Sequence, residues 1–183
     1  MVIESHSCSR LIRICGVVIA GTAWAQSTSA DEVPILSVCE VLQNRIAFNG
    51  KTVVVVGRSS GTFEGTWLAE DCPTRLNTDG YEWDGLISTT YDASKTAPPP
   101  SIRDFKWSQS ALKTKLASVK MTTKLRGRGY NDKWVAIVGR FETKERFKVW
   151  NRPSGQPIAD GFGHLNASPA QLIAPPNGYR QLR

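Results

Sequence analysis

Two apolar segments of the same form dominate the pattern of hydrophobic and polar positions along the chain. Residues 51–58 read Lys-Thr-Val-Val-Val-Val-Gly-Arg, and residues 133–140 read Lys-Trp-Val-Ala-Ile-Val-Gly-Arg. Both segments are rich in β-branched residues, which suit the pleated backbone of a strand better than a helix. We therefore predict two largely buried strands, over about 52–57 and 134–141, within one small β domain.

Shorter runs of similar composition indicate further strands. They cover 62–69, 86–90 and 147–150, and the pair Leu172-Ile173 follows near the end of the chain. About five β-like runs with glycines at the bends are typical of a small closed barrel. The pattern predicts a mainly β fold with minor α content, and a β-sandwich is the alternative architecture.

Two segments show helical spacing. Ser37 and Glu40 have the Ser-x-x-Glu form of a capping box, and the apolar positions that follow predict a helix over about 38–45. A second helix is predicted after Ser108 or Ser110, and its apolar and basic residues fall largely on opposite faces. These residues are Leu112, Leu116 and Val119 on one face and Lys113, Lys115 and Lys120 on the other. We expect this basic helix to cover an open end of the barrel.

The first 25 residues have the features of a secretory signal peptide. Arg10 and Arg13 form a positive start, an apolar run of about ten residues follows, and Ala23-Trp24-Ala25 matches the pattern that signal peptidase cleaves. The run is shorter than the about 20 residues that a membrane-spanning helix needs. We expect cleavage before Gln26 and export to the periplasm or the extracellular space.

The exported chain divides into three further parts. Residues 26–34 form a flexible leader, residues 35–174 form a single domain, and residues 175–183 form a C-terminal tail rich in Pro and Gly. A rigid Pro-Pro-Pro stretch lies within the segment 91–132, which is expected to be an insertion in that domain.

Removal of the signal peptide leaves Cys39 and Cys72. An even number of cysteines in an oxidising compartment predicts a disulfide. A metal or redox site would require Cys-x-x-Cys spacing or nearby histidines, and the exported chain has neither, since His164 is its one histidine.

Positive charge is concentrated in one part of the chain. Residues 26–94 carry 4 basic and 10 acidic side chains, whereas residues 95–152 carry 15 basic and 4 acidic ones. Such a segment either binds an anionic partner or forms a solvated face that keeps the protein soluble. Flexible glycines among arginines, followed by aromatic rings, could contact phosphates and stack on bases or sugars. The candidate ligand-binding residues are therefore Arg126, Arg128, Tyr130 and Trp134, and a loop with solvent-facing arginines is the alternative.

No motif indicates a catalytic residue, a metal or a cofactor. The acidic residues between Asp79 and Asp84 do not fit the spacing of an EF-hand calcium loop. His164 is a candidate general base, but a lone histidine between Gly163 and Leu165 is more often held by backbone hydrogen bonds in a tight turn. A nuclease-like site would need carboxylates and arginines, and no spacing along the chain singles out such a site. The candidate residues are Glu64, Asp71, Glu82, Arg58 and Arg140.

Three stretches resemble a group of small exported bacterial proteins of unknown function. They are Asn49-Gly50-Lys51 before the first strand, Val138-Gly139-Arg140-Phe141, and Gly161-Phe162-Gly163-His164-Leu165 followed by Pro169 and Leu172. The resemblance covers roughly residues 35–174 and implies a core similar to an OB-like five-stranded barrel. It implies no catalytic residues.

Together these features favour an exported, non-catalytic binding or assembly module. The expected partner is an anionic polymer or a protein of the cell envelope, and no cofactor is expected. The alternatives are a nuclease-like hydrolase built on an OB-like barrel and a structural protein of the envelope.

Overall fold

A computed structural model of the protein describes residues 32–62, 64–91, 98–122 and 133–183. Its strands are β1 (Ile35–Ser37), β2 (Thr52–Thr62), β3 (Gly65–Ala69), β4 (Leu76–Thr78), β5 (Tyr81–Trp83), β6 (Leu86–Thr90), β7 (Lys133–Thr143), β8 (Val149–Asn151), β9 (Pro157–Ala159), β10 (Ala170–Ile173) and β11 (Tyr179–Gln181). Its helices are α1 (Val38–Gln43), α2 (Arg45–Phe48) and α3 (Gln109–Thr122), and a 3-10 helix covers His164–Asn166. Among these described residues, no helix has both the length and the apolar character to cross a membrane.

Five of the strands close into a barrel. β2 pairs with β3, β3 with β6, β6 with β10, β10 with β7, and β7 returns to β2. The β6–β10 pair is parallel, and the other four pairs are antiparallel. When the five barrel strands are numbered by their order in the chain, their order around the ring is first, second, third, fifth, fourth. In the sequence, α3 lies between the third and the fourth of these strands. The mainly β, OB-like barrel predicted from the sequence is confirmed.

Strand β2 is buried on both faces. Val53 and Val55 point into the barrel interior, whereas Val54 and Val56 point outward and pack beneath α3. All four side chains are 0% exposed. Because neither face meets water, the run is apolar at every position instead of alternating with polar residues.

Helix α3 packs on the outer surface of the barrel. Its Leu112, Leu116 and Val119 contact the outward-facing apolar side chains of β2 and β7. The expectation that this helix covers an open end of the barrel is wrong, because the outward faces of β2 and β7 are apolar and need a covering layer. The interior core instead receives side chains from α1, namely Val38, Val41 and Leu42.

Both helix starts follow the predicted caps. Ser37 Oγ accepts a hydrogen bond from Glu40 N at 3.2 Å, and Glu40 Oε2 accepts one from Ser37 N at 2.7 Å. At the start of α3, Ser108 Oγ accepts from Ala111 N at 3.5 Å. The helix predicted over 38–45 is divided, since α1 ends at Gln43 and α2 begins at Arg45.

Cys39 and Cys72 form the predicted disulfide. Their Cα atoms are 5.5 Å apart, within the usual range for a disulfide. The bond joins the first turn of α1 to the segment after β3, across a sequence separation of 33 residues.

The folded domain extends into both segments that flank the predicted domain. Val33, in the expected leader, packs with the outer core beneath α3. β11 lies in the expected tail and pairs with β7, so that Arg180 is opposite Ala136. These contacts involve only a few residues each, too few for a hydrophobic pattern to reveal them.

Candidate ligand-binding face of the barrel

Four barrel strands each contribute one outward side chain to a continuous row, which we call the barrel face. The row consists of Trp67 on β3, Ser88 on β6, Gln171 on β10 and Glu142 on β7, and the strand register places each beside the next. Neighbours such as Leu68 point into the interior core, so the alternation of a strand turns these four residues outward. The barrel face thus combines one indole ring with hydroxyl, amide and carboxylate groups.

Glu142 is hydrogen-bonded through both carboxylate oxygens. Gln171 Nε2 donates to Oε2 at 2.8 Å, and Arg140 Nε donates to Oε1 at 3.0 Å. Only 22% of the Glu142 side chain and 16% of the Arg140 side chain are exposed. Arg140 also donates through Nη1 to the backbone oxygen of Pro98. Charge-assisted hydrogen bonds between partly buried groups fix these side chains, so a polar ligand would meet a preorganised surface.

Trp67 lies between two glycines. A Cβ atom at Gly65 would be 3.3 Å from Cζ2 of the indole, and one at Gly163 would be 3.8 Å from its Nε1. At Gly163 the same atom would be only 2.4 Å from Ser88 Oγ. The chain at Gly163 can approach the barrel face this closely because glycine has no side chain.

His164 and Glu64 join the two loops that border the barrel face. Their Nε2 and Oε2 atoms are 3.3 Å apart. Glu64 belongs to the turn between β2 and β3, and His164 belongs to the connection between β7 and β10. In OB-like barrels, these two connections flank the surface on which ligands bind. The carbonyl of His164 also accepts a hydrogen bond from Ala167 N at 3.2 Å, so the predicted backbone-bonded turn is confirmed.

An ion pair joins the start of the connection between β7 and β10 to a residue further along it. Lys144 Nζ is 3.0 Å from Asp160 Oδ2, and Lys148 N donates to Asp160 Oδ1 at 2.8 Å. Partial burial alone would raise the pKa of Asp160, but the hydrogen bonds and the charge of Lys144 outweigh it and lower that pKa. Asp160 is therefore ionised at neutral pH and holds the two sides of this connection together.

Leu165 projects from the tip of the same connection. Its side chain is 72% exposed, the highest value among the large exposed hydrophobic residues described. Leu165 has a φ of 52° and Asn166 a φ of 56°, in a region that non-glycine residues rarely adopt. Strained backbone of this kind clusters at binding sites, and here it presents an apolar contact beside the barrel face.

The barrel face can stack a ligand ring on Trp67 and hydrogen-bond to it through Gln171 and Glu142. Ser88 is only 8% exposed and lies beneath Gly163. Within the described ranges, no three His, Cys, Asp or Glu side chains are close enough to hold a metal ion. Two of the residues considered for a nuclease-like site lie in different places. Glu82 pairs with Arg75 at 3.5 Å on the β4–β5 hairpin, whereas Glu64 lies beside His164.

Only one of the four candidate residues from the basic segment falls in the described part of the chain. Arg126, Arg128 and Tyr130 lie outside it. Trp134 lies on β7 opposite Arg58 of β2, and its partly buried side chain packs with the apolar core beneath α3. Its role in ligand binding stays a prediction.

The barrel face was not predicted from the sequence, because the register of four strands creates it. Gln171 and Glu142 are 29 positions apart and meet only where β10 pairs with β7. The available signal was Trp67, an aromatic residue among small and polar residues in a short β-like run. No protein-family model, curated protein or solved structure matches the chain, so the interpretation of this face rests on its geometry and chemistry.

Proposed function

We propose that the protein is an exported, non-catalytic binding or assembly module whose ligand lies across the barrel face. The observation that carries this proposal is the fixed polar network of Glu142, Gln171 and Arg140 on the same surface as Trp67. An aromatic platform beside preorganised hydrogen-bonding groups is the usual composition of a site that selects a polar ligand. The bordering loops and Leu165 add contacts at one edge.

The charges of the barrel face favour an uncharged polar ligand. Glu142 and Arg140 neutralise each other. A neutral glycan satisfies both requirements, since its ring faces are apolar and its hydroxyls exchange hydrogen bonds. An anionic ligand is a separate proposal for the basic segment, with contacts at Arg126, Arg128, Tyr130 and Trp134.

Export is supported by the signal-peptide features of residues 1–25 and by the Cys39–Cys72 disulfide. Disulfides persist in oxidising compartments and are rare in the cytosol. Mass spectrometry of the protein recovered from its native location should show a chain that begins at Gln26 with both cysteines oxidised. An unprocessed chain with free thiols would contradict export.

The binding proposal is tested by exchanging two tryptophans. Trp67→Ala should weaken binding of neutral hexasaccharides, measured by calorimetry, by about fivefold or more, taking for a stacked sugar ring the about 1–3 kcal/mol that a base gains on one aromatic ring. Trp150→Ala is the matched control, since Trp150 is 45% exposed on β8. Gln171→Ala provides a second change within the barrel face that leaves the indole in place.

Three results would contradict the proposal. They are equal affinity of the wild type and both barrel-face variants, failure of every neutral glycan to bind, and chemical turnover of the bound ligand. Turnover would instead favour the hydrolase alternative.

A further inference from the structure

A cleft of about 240 Å³ lies between α3 and the C-terminal strand β11. One wall is a stripe of the helix at positions 109, 112, 113 and 116, and the other wall is the chain from 180 to 183. From position 109 to position 116 the helix rises by about 10 Å, so the cleft is elongated. Its lining residues are Gln109, Leu112, Lys113, Leu116, Arg180, Gln181, Leu182 and Arg183.

Among the described residues that line this cleft, every charged side chain is positive. Lys113, Arg180 and Arg183 contribute the cations, while the other described lining side chains are two glutamines and three leucines. Helix α3 contains no acidic residue along its length. Three cations around one cleft favour the approach of anions.

Arg180 is held in place before any ligand binds. Its guanidinium group lies 5.8 Å from the centre of the Trp107 ring, within the range of a cation–π contact. With the amide of Gln109 oriented for hydrogen bonding, its oxygen accepts from Nη1 of Arg180 at 2.7 Å and also from Nη2. These partners leave further N–H groups of the planar fork available, in a fixed direction.

We propose that this cleft binds the carboxylate or sulfate groups of an acidic polysaccharide. Guanidinium and ammonium groups bind such oxyanions by charge-assisted hydrogen bonds, and the glutamine amides suit the neighbouring hydroxyls. A single-stranded nucleic acid fits less well, because such strands are held by stacking on exposed aromatic rings. Among the described residues, no aromatic side chain lines the cleft, and the nearby Trp107 lies beneath Arg180. This site is distinct from the barrel face and does not depend on the function proposed for it.

The experiment measures binding of polygalacturonate and dextran sulfate to the purified protein by calorimetry at low and near-physiological salt. Wild-type protein should bind both, more weakly at high salt, and should not bind neutral dextran through this cleft. Lys113→Glu and Arg180→Gln should each lower the affinity by about tenfold or more, because a charge-assisted hydrogen bond contributes about 1.5–3 kcal/mol. Arg152→Glu is the control matched in charge to Lys113→Glu, since Arg152 is exposed in the turn between β8 and β9.

Arg180→Lys separates geometry from charge. It keeps the positive charge but removes the planar fork, so its affinity should lie well below that of the wild type. Thermal unfolding of each variant shows whether the fold is intact, and Lys113→Glu changes an exposed side chain, so it tests the site even if the Arg180 variants are unstable.

Several outcomes overturn the proposal. One is equal loss of affinity in Arg152→Glu and Lys113→Glu, which would indicate a general charge effect. Another is tighter binding of single-stranded DNA than of either polysaccharide, and a third is no binding of either polyanion. Failure of this site is read from Lys113→Glu and Arg180→Gln with the polyanions, and failure of the barrel face is read from Trp67→Ala with neutral hexasaccharides, so the two failures are distinguishable.

Discussion

Gly163 combines a backbone conformation and a contact that favour glycine. Its φ is 71°, and a Cβ atom would be 2.4 Å from Ser88 Oγ and 2.9 Å from Ser88 Cβ. Gly155, in the turn between β8 and β9, has a similar φ of 80°, but a Cβ atom there would have nothing within 4 Å. The two glycines therefore share a positive φ and differ in the contact that a Cβ atom would make.

We expect Gly163→Ala to destabilise the protein more than Gly155→Ala. Both changes force alanine to a positive φ. At Gly163, where ψ is −162°, the backbone lies in a region that essentially only glycine adopts, at a cost of about 1–3 kcal/mol. Gly163→Ala adds overpacking against Ser88, which costs about 1–3 kcal/mol more unless the loop moves. Urea denaturation of both variants measures the difference. Equal stabilities would mean that the connection can leave the barrel face without penalty, contrary to the fixed geometry described for it.

Two carboxylates and one ammonium group meet at the start of α1. Glu70 Oε2 accepts a hydrogen bond from Cys39 N at 2.9 Å, and both oxygens of Glu40 accept from Lys115 Nζ at 2.7 and 2.6 Å. Glu70 is only 6% exposed. Burial raises its pKa above the ordinary value of 4.5, and hydrogen bonds from Cys39 and Ser37 offset part of this rise. This cluster links α1 both to α3 and to the end of β3.

The raised pKa of Glu70 predicts how this cluster responds to pH. Its contribution to stability is fully present below the pKa of the unfolded chain and is lost as pH rises through the higher pKa of the folded protein. Glu70→Gln keeps an oxygen acceptor for Cys39 N but cannot ionise. We therefore expect this variant to be more stable than the wild type at neutral pH, with a difference that shrinks as the pH falls through the raised pKa of the folded protein and is constant below 4.5.

Urea denaturation of both proteins from about pH 3 to 8 measures that difference. Glu70→Ala, which removes the acceptor, should instead be less stable than Glu70→Gln throughout the range, because Cys39 N would lose its partner. A constant difference between the wild type and Glu70→Gln at all pH values would mean that ionisation of Glu70 does not affect folding.

The two longest strands show what the hydrophobic pattern can and cannot predict. Their apolar centres were predicted correctly, because burial on both faces leaves an unmistakable run of apolar residues. Their ends were not: β2 continues to Thr62 because Ser59 and Ser60 pair with β3, and polar residues carry no signal for that pairing. The surface on which α3 packs was missed for a related reason, since a run buried on both faces does not reveal which layer covers which side.

The strands of the barrel and the helix caps were predictable because each depends on a pattern of residues close in sequence. The disulfide was predictable because only two cysteines remain after removal of the signal peptide, so that only one pairing is possible. The barrel face and the α3–β11 cleft were not predictable in the same way. Each brings together residues separated by several strands, as when Arg180 meets Trp107 and Gln109 of the insertion. Excess positive charge in residues 95–152 is the basis for predicting an anionic partner, which stays a prediction. The cleft adds two arginines that lie beyond the domain boundary expected from the sequence.

Strand β7 connects the two proposed binding surfaces. Glu142 of the barrel face lies six positions beyond Ala136, which pairs with Arg180 of the cleft. At about 3.3 Å per residue, these positions are roughly 20 Å apart along the strand. A short oligosaccharide can occupy only one surface, whereas a longer chain with neutral and acidic stretches can engage both, the second contact forming at a high effective concentration. Avidity would then make the length of a polymer, and not only its composition, decide how firmly the protein retains it.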